Sequence, residues 1–142
     1  AQLGKNLVID TGLRAQSYYQ QFHPLKNHGD ESIVDVQDYL DSHYCEKIIM
    51  GSLAQRCHTS ERSFLRRFQK ATDLKPSEYI QKLRIQKTCD LLERSNHSFD
   101  VIAAQVGYED SNACRRIFVR IMGLTPKQFR QRFVRSKIEL AD

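Results

Sequence analysis

One pattern of helices and turns occurs twice between Leu53 and Phe133, and this repeat constrains the fold more than any other feature of the sequence. Four positions recur at a spacing of 50 residues: Phe68 and Phe118, Leu74 and Leu124, Pro76 and Pro126, and Tyr79 and Phe129. In the opening helix the spacing is 49, between Leu53 and Ile102, so the turn of the second copy is one residue longer. Self-similarity at such a period indicates a structural unit that is used twice.

Helical periodicity and helix capping signals occur along most of the chain, and no segment has the pattern of a convincing strand. The sequence therefore predicts an all-α fold of two helix-turn-helix subdomains, about 31–75 and 94–135, with a linking helix at about 76–93 that is roughly 26 Å long. The predicted helices are Glu31–His43, Met50–Cys57, Ser60 (as cap) to about Lys70, Pro76 to about Glu93, Phe99–Val106, the stretch between the Asp110 cap and Gly123, and Pro126 to about Val134.

Positive charge is concentrated in the second copy. The chain has 22 Lys and Arg against 17 Asp and Glu, a net charge of +5, and no acidic residue lies between Ser111 and Lys137. Acidic residues collect instead near the predicted first helix, at positions such as Asp35, Asp38 and Asp41. A clustered basic surface favours a polyanionic partner.

The second helix of each unit has one apolar face and one polar face that are related by the repeat. Apolar residues such as Phe64, Phe68 and Phe118 are predicted to face the core. A helix of this kind can enter a major groove, where arginine matches guanine, asparagine matches adenine, and an apolar side chain packs on a thymine methyl group. The predicted base-reading residues are Arg62, Leu65 and Arg66 in the first unit and Asn112, Arg115 and Arg116 in the second.

A further set of cap residues and exposed cations is suited to contact phosphates, which positions a protein on DNA without reading its sequence. These predicted phosphate contacts are Ser60, Arg67, Lys70, Lys75, Ser98, Arg120 and Lys127.

Residues 1–30 have no clear period, and we interpret them as a loosely structured connector from a missing N-terminal domain. The chain begins at Ala1 in mid-pattern, which is consistent with a fragment of a longer protein. The four cysteines have no paired spacing and are predicted to be reduced packing residues of a cytoplasmic protein; they are Cys45, Cys57, Cys89 and Cys114. No metal site, cofactor, signal peptide or membrane span is expected.

At these residues the sequence resembles the DNA-binding domain of the AraC/XylS family of bacterial transcription regulators. The resemblance covers about Glu31 to Arg135, and its most specific part is Ile102-Ala103-x-x-Val106-Gly107-Tyr108 followed by Arg116-x-Phe118 and Gly123-x-Thr125-Pro126-x-x-Phe129-Arg130. It implies seven helices and a monomer that contacts two successive major-groove segments through the six base-reading positions. His58 and Asp73 depart from the pattern, because glycine is usual at such positions.

The connector is similar to the segment that, in one subgroup, follows an N-terminal class-I glutamine-amidotransferase-like domain. RNA polymerase is a further candidate partner. The resemblance is consistent with a monomeric fragment and a homo-oligomeric full-length protein, since the dimerising part of such regulators commonly lies outside this module. Two other classes of function are alternatives to DNA binding. An enzyme is disfavoured because no nucleophile elbow, phosphate-binding glycine loop or catalytic constellation is present. A helical protein-interaction module, whose basic face meets an acidic partner, remains as the alternative to sequence-specific binding of double-stranded DNA.

Overall fold

Seven α-helices and no strand make up the part of the chain that the structure, a computed structural model, describes, namely residues 22–141 with side chains through Phe133. The all-α prediction is confirmed. In chain order the helices are α1 (Glu31–His43), α2 (Met50–Arg56), α3 (Glu61–Thr72), α4 (Pro76–Arg94), α5 (Phe99–Gln105), α6 (Ser111–Met122) and α7 (Pro126–Ala141).

Side-chain caps begin most of these helices where the sequence predicts them. Ser60 Oγ accepts a hydrogen bond from the backbone N–H of Ser63 at 3.1 Å, and Ser98 Oγ accepts from that of Val101 at 3.3 Å. At the start of α7, Thr125 and Gln128 accept reciprocally from each other's backbone N–H at 3.1 and 2.9 Å, which is a capping box. These bonds satisfy amides that the first turn of a helix leaves without partners.

The linking helix α4 contributes to two separate hydrophobic cores. Its first half buries Tyr79, Ile80 and Leu83 against α1, α2 and α3, and its second half buries Ile85, Cys89 and Leu92 against α5, α6 and α7. The predicted inward faces of the reading helices are confirmed, because these aromatic and small apolar side chains are fully buried: Phe64, Phe68, Cys114 and Phe118. Each helix-turn-helix unit therefore has its own core, and one helix belongs to both.

Residues 22–30 pack on the first unit, whereas residues 1–21 of the predicted connector lie outside the described residues. The ring of Phe22 meets that of Tyr79 edge to face at 5.5 Å. Lys26 Nζ lies 2.6 Å from Asp38 and 2.7 Å from Asp41, both on α1. Residues 22–30 form no helix or strand, but ion pairs and an aromatic contact attach them to α1 and α4.

A buried polar network lies beneath this segment. Gln37 is fully buried, and its amide oxygen lies 2.8 Å from His28 Nε2. Its amide nitrogen donates to the carbonyl of Leu25 at 3.2 Å and to the hydroxyl of Tyr79 at 3.1 Å. Burial raises the pKa of Tyr79 to about 12. A buried amide without these partners would destabilise the fold by about 1 to 3 kcal/mol.

Two further details differ from the sequence prediction. Helix α7 continues to Ala141 and not to about Val134, because no glycine or proline interrupts the chain beyond Pro126. Cys45 is exposed in the loop after α1, so the packing role predicted for the cysteines holds only for Cys57, Cys89 and Cys114. Burial raises the pKa of the Cys114 thiol to about 11, which makes it a poor nucleophile.

Asp30 joins the start of α1 to the second helix of the first unit. Its carboxylate accepts from the backbone N–H of Ile33 at 3.3 Å and pairs with both Nε and Nη2 of Arg67, at 3.0 and 2.7 Å. The hydrogen bonds from Arg67 hold the pKa of Asp30 below its ordinary value. A carboxylate with a lowered pKa contributes stability that is present above its unfolded pKa of about 4 and is lost as the pH falls through the folded value.

We expect Asp30→Asn and Asp30→Ala to separate these two contributions. Asparagine still caps α1 but loses the ion pair, at a cost of about 1 to 2 kcal/mol at pH 7, whereas alanine also loses the cap, at about 1 kcal/mol more. Urea denaturation followed by circular dichroism measures both. The difference between wild type and Asp30→Asn should shrink as the pH falls below about 4, since protonation removes the same charge. A difference that does not change with pH would contradict this account.

Candidate nucleic-acid interface

The two helix-turn-helix units share the geometry of their turns despite unequal lengths. In the first, the backbone N–H of Thr59 donates to the carbonyl of Ala54 at 3.2 Å, and in the second that of Tyr108 donates to Ala103 at 2.9 Å. The turn residue before each donor has a positive φ, 54° at His58 and 107° at Gly107. The same backbone path therefore positions α3 after α2 and α6 after α5.

Both second helices also end in the same left-handed conformation. Asp73 has φ 63° and Gly123 has φ 79°, and the N–H of each donates to a carbonyl of the preceding turn at 2.8 Å. The stop predicted at Gly123 is confirmed. Asp73 adopts the same conformation although it has a Cβ atom, and aspartate is one of the few residues that visit this region with any frequency.

The predicted reading face of α3 consists of Arg62, Leu65 and Arg66, which all project from the core into solvent. The side chain of Leu65 is 39% exposed, which is unusual for leucine at the centre of an ordered helix. Within residues 22–133, neither Arg62 nor Arg66 forms an ion pair. Two uncommitted guanidinium groups thus flank an exposed apolar side chain on one helix face.

The predicted reading face of α6 consists of Asn112, Arg115 and Arg116, which are likewise exposed. Arg115 is held in place, because its Nη1 donates to Asn112 Oδ1 at 3.2 Å and its guanidinium carbon lies 4.9 Å from the ring centroid of Phe99 on α5. A cation over an aromatic ring at this distance is attracted by the negative face of the ring. The sequence predicts the exposure of Arg115, but the contact with Phe99 is a finding of the structure.

Each reading face continues one turn further than the six predicted residues. Gln69 on α3 is exposed, and Val119, 50 residues later on α6, is 39% exposed. Gln69 follows Arg66 by three positions, and Val119 follows Arg116 by three positions. Residues at this spacing lie on the same face of a helix, so the sequence alone could have added both to the predicted reading faces. An amide can read a base edge and a valine can contact a thymine methyl group.

The seven predicted phosphate contacts fall into three groups. Lys70, Lys75 and Lys127 are exposed at helix ends or beside them. The two serine caps, Ser60 and Ser98, are exposed at helix starts, and their oxygens accept from backbone amides while their hydroxyl protons remain available for donation.

The other two predicted contacts have partners within the protein. Arg120 Nη2 donates to Gln81 Oε1 at 2.7 Å, which ties α6 to α4 while the residue stays exposed. The expectation that Arg67 is an exposed cation is wrong, since its guanidinium pairs with Asp30 and its side chain is only 32% exposed. A bidentate carboxylate neutralises the charge that a phosphate would require.

Among the residues that the structure describes, no group of three His, Cys, Asp or Glu side chains is arranged to hold a metal ion. None of the described helices is both long and apolar enough to cross a lipid bilayer.

Comparison with known proteins agrees with this geometry. Residues 53–132 match a family model described as a helix-turn-helix domain. The chain is 38% identical over 89 residues to the transcriptional activator RhaR of Yersinia pseudotuberculosis, which is 61% of this chain and 31% of that protein. It is 31% identical over 109 residues to the MmsAB operon regulatory protein of Pseudomonas aeruginosa, covering 77% of this chain and 35% of the relative. The chain thus spans about a third of the length of these relatives.

Solved structures resemble the same part of the chain. The DNA-binding domain of the transcriptional factor AdpA, solved with a target DNA, has a TM-score of 0.68 at 30% identity, covering 70% of this chain and 90% of that one. The C-terminal domain of AraT from Geobacillus stearothermophilus has a TM-score of 0.70 at 20% identity, covering 75% and 88%, and it shows likeness of fold alone. The chain therefore belongs to the AraC/XylS family of helix-turn-helix transcription regulators, and the matched part is a DNA-binding domain and not an enzyme.

Proposed function

We propose that this domain binds double-stranded DNA sequence-specifically, with α3 and α6 in successive major-groove segments. One observation carries the proposal: the same helix-turn-helix unit occurs twice, and each copy exposes base-matching side chains at corresponding positions of its second helix. A linking helix of 19 residues is about 28 Å long, close to the separation of about 34 Å between major-groove segments one turn apart.

The two units are suited to different base pairs. In the first, Arg62 and Arg66 can each donate two hydrogen bonds to guanine, and Leu65 between them can pack on a thymine methyl group. In the second, Asn112 can pair with adenine and Arg116 with guanine, while Arg115 is pre-oriented by the ring of Phe99. The site should therefore be asymmetric, with unlike elements facing α3 and α6.

Phosphate contacts would hold the reading helices in register without selecting sequence. We assign this role to Ser60, Lys70, Lys75, Ser98, Arg120 and Lys127. We assign Arg67 a structural role instead, because its guanidinium forms an ion pair with Asp30.

The whole protein is proposed to be a cytoplasmic bacterial transcription regulator. The name of the Yersinia relative supports a role in transcription activation, and RNA polymerase is a candidate partner. The domain is proposed to act as a monomer, and dimerisation would reside in a part of the protein before residue 22. The similarity of residues 3–30 to a segment that follows a glutamine-amidotransferase-like domain makes such a domain the candidate sensor.

Selection of duplexes from a random pool tests sequence specificity. At about 0.15 M salt, the 142-residue chain should enrich an asymmetric site whose two elements lie about one helical turn apart. Competition with shuffled duplexes distinguishes this from general attraction to polyanions. Equal affinity for the selected and shuffled duplexes would overturn the proposal and favour a helical protein-interaction module.

Arg116→Ala and Lys127→Ala separate reading from positioning. Loss of Arg116 should weaken binding to the selected duplex by about 1 to 3 kcal/mol and relax the base preference at one position of one element. Loss of Lys127 should weaken all duplexes alike and lower the slope of log affinity against log salt by about 1. Fluorescence anisotropy with a panel of single-base variants measures both effects. Identical profiles for the two variants would contradict the assignment.

A double-mutant cycle between Phe99 and Arg115 tests whether the aromatic ring orients a reading residue. Phe99→Leu keeps an apolar side chain but removes the ring, and we expect a coupling with Arg115→Ala of about 0.5 to 1 kcal/mol in DNA affinity. The effect should be confined to the element bound by α6. Met50→Leu is the matched control, because Met50 occupies the corresponding position of the first unit and no arginine stands at the position equivalent to Arg115. A coupling near zero would show that the ring does not contribute to reading.

A further inference from the structure

The two helix-turn-helix units touch through their loops as well as through α4. The loop between α1 and α2 approaches the turn of the second unit so closely that a Cβ atom added to Gly107 would lie 2.8 Å from the carbonyl oxygen of Cys45. Real Cβ atoms do not approach backbone atoms to this distance. Glycine at this position therefore serves close approach between the units as well as the positive φ of the turn.

Arg84 on α4 links the same two segments. Its Nε donates to the carbonyl of Tyr44 at 2.7 Å and its Nη2 donates to the carbonyl of Glu46 at 2.9 Å. The guanidinium carbon also lies 5.2 Å from the ring centroid of Tyr108, in the turn of the second unit. One side chain thus contacts the first unit by hydrogen bonds and the second by a cation–π interaction.

Tyr44 strengthens this connection, because its partly buried side chain packs against both hydrophobic cores. Lys87 lies one turn further along α4 than Arg84, and its Nζ is 5.7 Å from the centroid of the Tyr44 ring. Tyr108 is partly buried at the junction, and this burial raises the pKa of its hydroxyl to about 12.

The first unit has no equivalent of this junction. His58 and Thr59 occupy the positions that correspond to Gly107 and Tyr108, and His58 is exposed. The two turns also differ in φ, which is 54° at His58 and 107° at Gly107, and only the first value lies in the left-handed region that residues with a Cβ atom adopt. The second turn is further distinguished by its contacts with the Tyr44–Glu46 loop and Arg84.

We propose that Arg84, the 44–46 loop and the Gly107–Tyr108 turn form a clamp that sets the orientation of α6 relative to α3. This inference rests on the proposed function, and it makes Arg84 a positioning residue that determines which spacing between the two DNA elements is accepted. In this proposal Arg84 acts through the junction and not by contact with DNA, because its Nε and Nη2 each donate to a carbonyl of the first unit.

The spacing that the protein prefers between the two DNA elements depends on the orientation of α6 relative to α3. Inserting one base pair moves one element by about 3.4 Å along the duplex axis and rotates it by roughly 34°. If the angle between α3 and α6 is fixed, the two helices cannot accommodate both the shift and the rotation of one DNA element. If α4 alone joined the two units, their relative orientation could change to accommodate them. The clamp therefore predicts a narrow spacing preference that depends on Arg84.

The experiment compares wild type, Arg84→Ala and Gly107→Ala on the selected duplex, on duplexes with one base pair added or removed between the elements, and on duplexes with one element scrambled. Wild type should prefer the selected spacing by more than about tenfold, and Arg84→Ala should reduce this preference to about threefold or less. Affinity for single-element duplexes should stay within about twofold of wild type, since each unit keeps its own core and reading face. Gly107→Ala should also broaden or shift the spacing profile, and it should weaken binding to the element bound by α6 as well, because a φ of 107° strains a residue with a Cβ atom.

Arg94→Ala, near the end of α4, is the matched control for loss of a cation from the same helix, and circular dichroism verifies folding of each variant. An unchanged spacing profile for Arg84→Ala overturns the clamp. A uniform loss on all duplexes, including those with one element, also overturns it, because Arg84 would then contact phosphate or support the fold in general. Absence of a two-element site for wild type would instead refute the proposed function, and the clamp with it.

Discussion

Burial of one helix in two cores is the constraint on which the remaining structure depends. Helix α4 places Leu83 in the core of the first unit and Ile85, two residues later, in that of the second. Truncating such a buried side chain typically destabilises a protein by about 2 to 5 kcal/mol, which is a large part of the stability of a small domain. Because the backbone of α4 is a continuous rod, the distance between the units follows from helix geometry. Their orientation about the rod needs further contacts, and the Arg84 junction supplies them.

The two copies of the repeat are held by different means. The second copy has glycine at both positions of positive φ, whereas the first has His58 and Asp73 there, each at some cost in backbone energy. The first copy is braced from outside, since Asp30 pairs with Arg67 on α3 and residues 22–30 pack on α1 and α4. A displacement of residues 22–30 would therefore be transmitted to α3 directly, through the ion pair between Asp30 and Arg67. It would be transmitted to α6 through α4 and the Arg84 junction.

Charge is divided between the parts of the fold in a way that suits a polyanionic partner. Acidic residues of α1 are engaged by Lys26, and Asp30 is engaged by Arg67. The arginines on the exposed faces of α3 and α6 form no ion pair among residues 22–133, so their charge is available to a ligand. In an arrangement of this kind, acidic groups stabilise the protein and do not compete for the arginines that are proposed to read DNA.

The sequence by itself determined the helices, their caps, the repeat and the faces that α3 and α6 expose, because each depends on residues within a few positions of one another. Asp110 beside Asn112, or Phe64 beside Phe68, leaves a periodic pattern that can be read along the chain. The tertiary structure alone decided the pairing of Arg67 with Asp30, 37 residues away, and of Arg84 with Tyr44, 40 residues away. Contacts between side chains so far apart in the chain produce no periodic pattern in the sequence. From the sequence alone, an arginine that donates to a carbonyl cannot be distinguished from one that is exposed to solvent. Whether a cation supports the fold or remains available for DNA is therefore decided only when the helices pack.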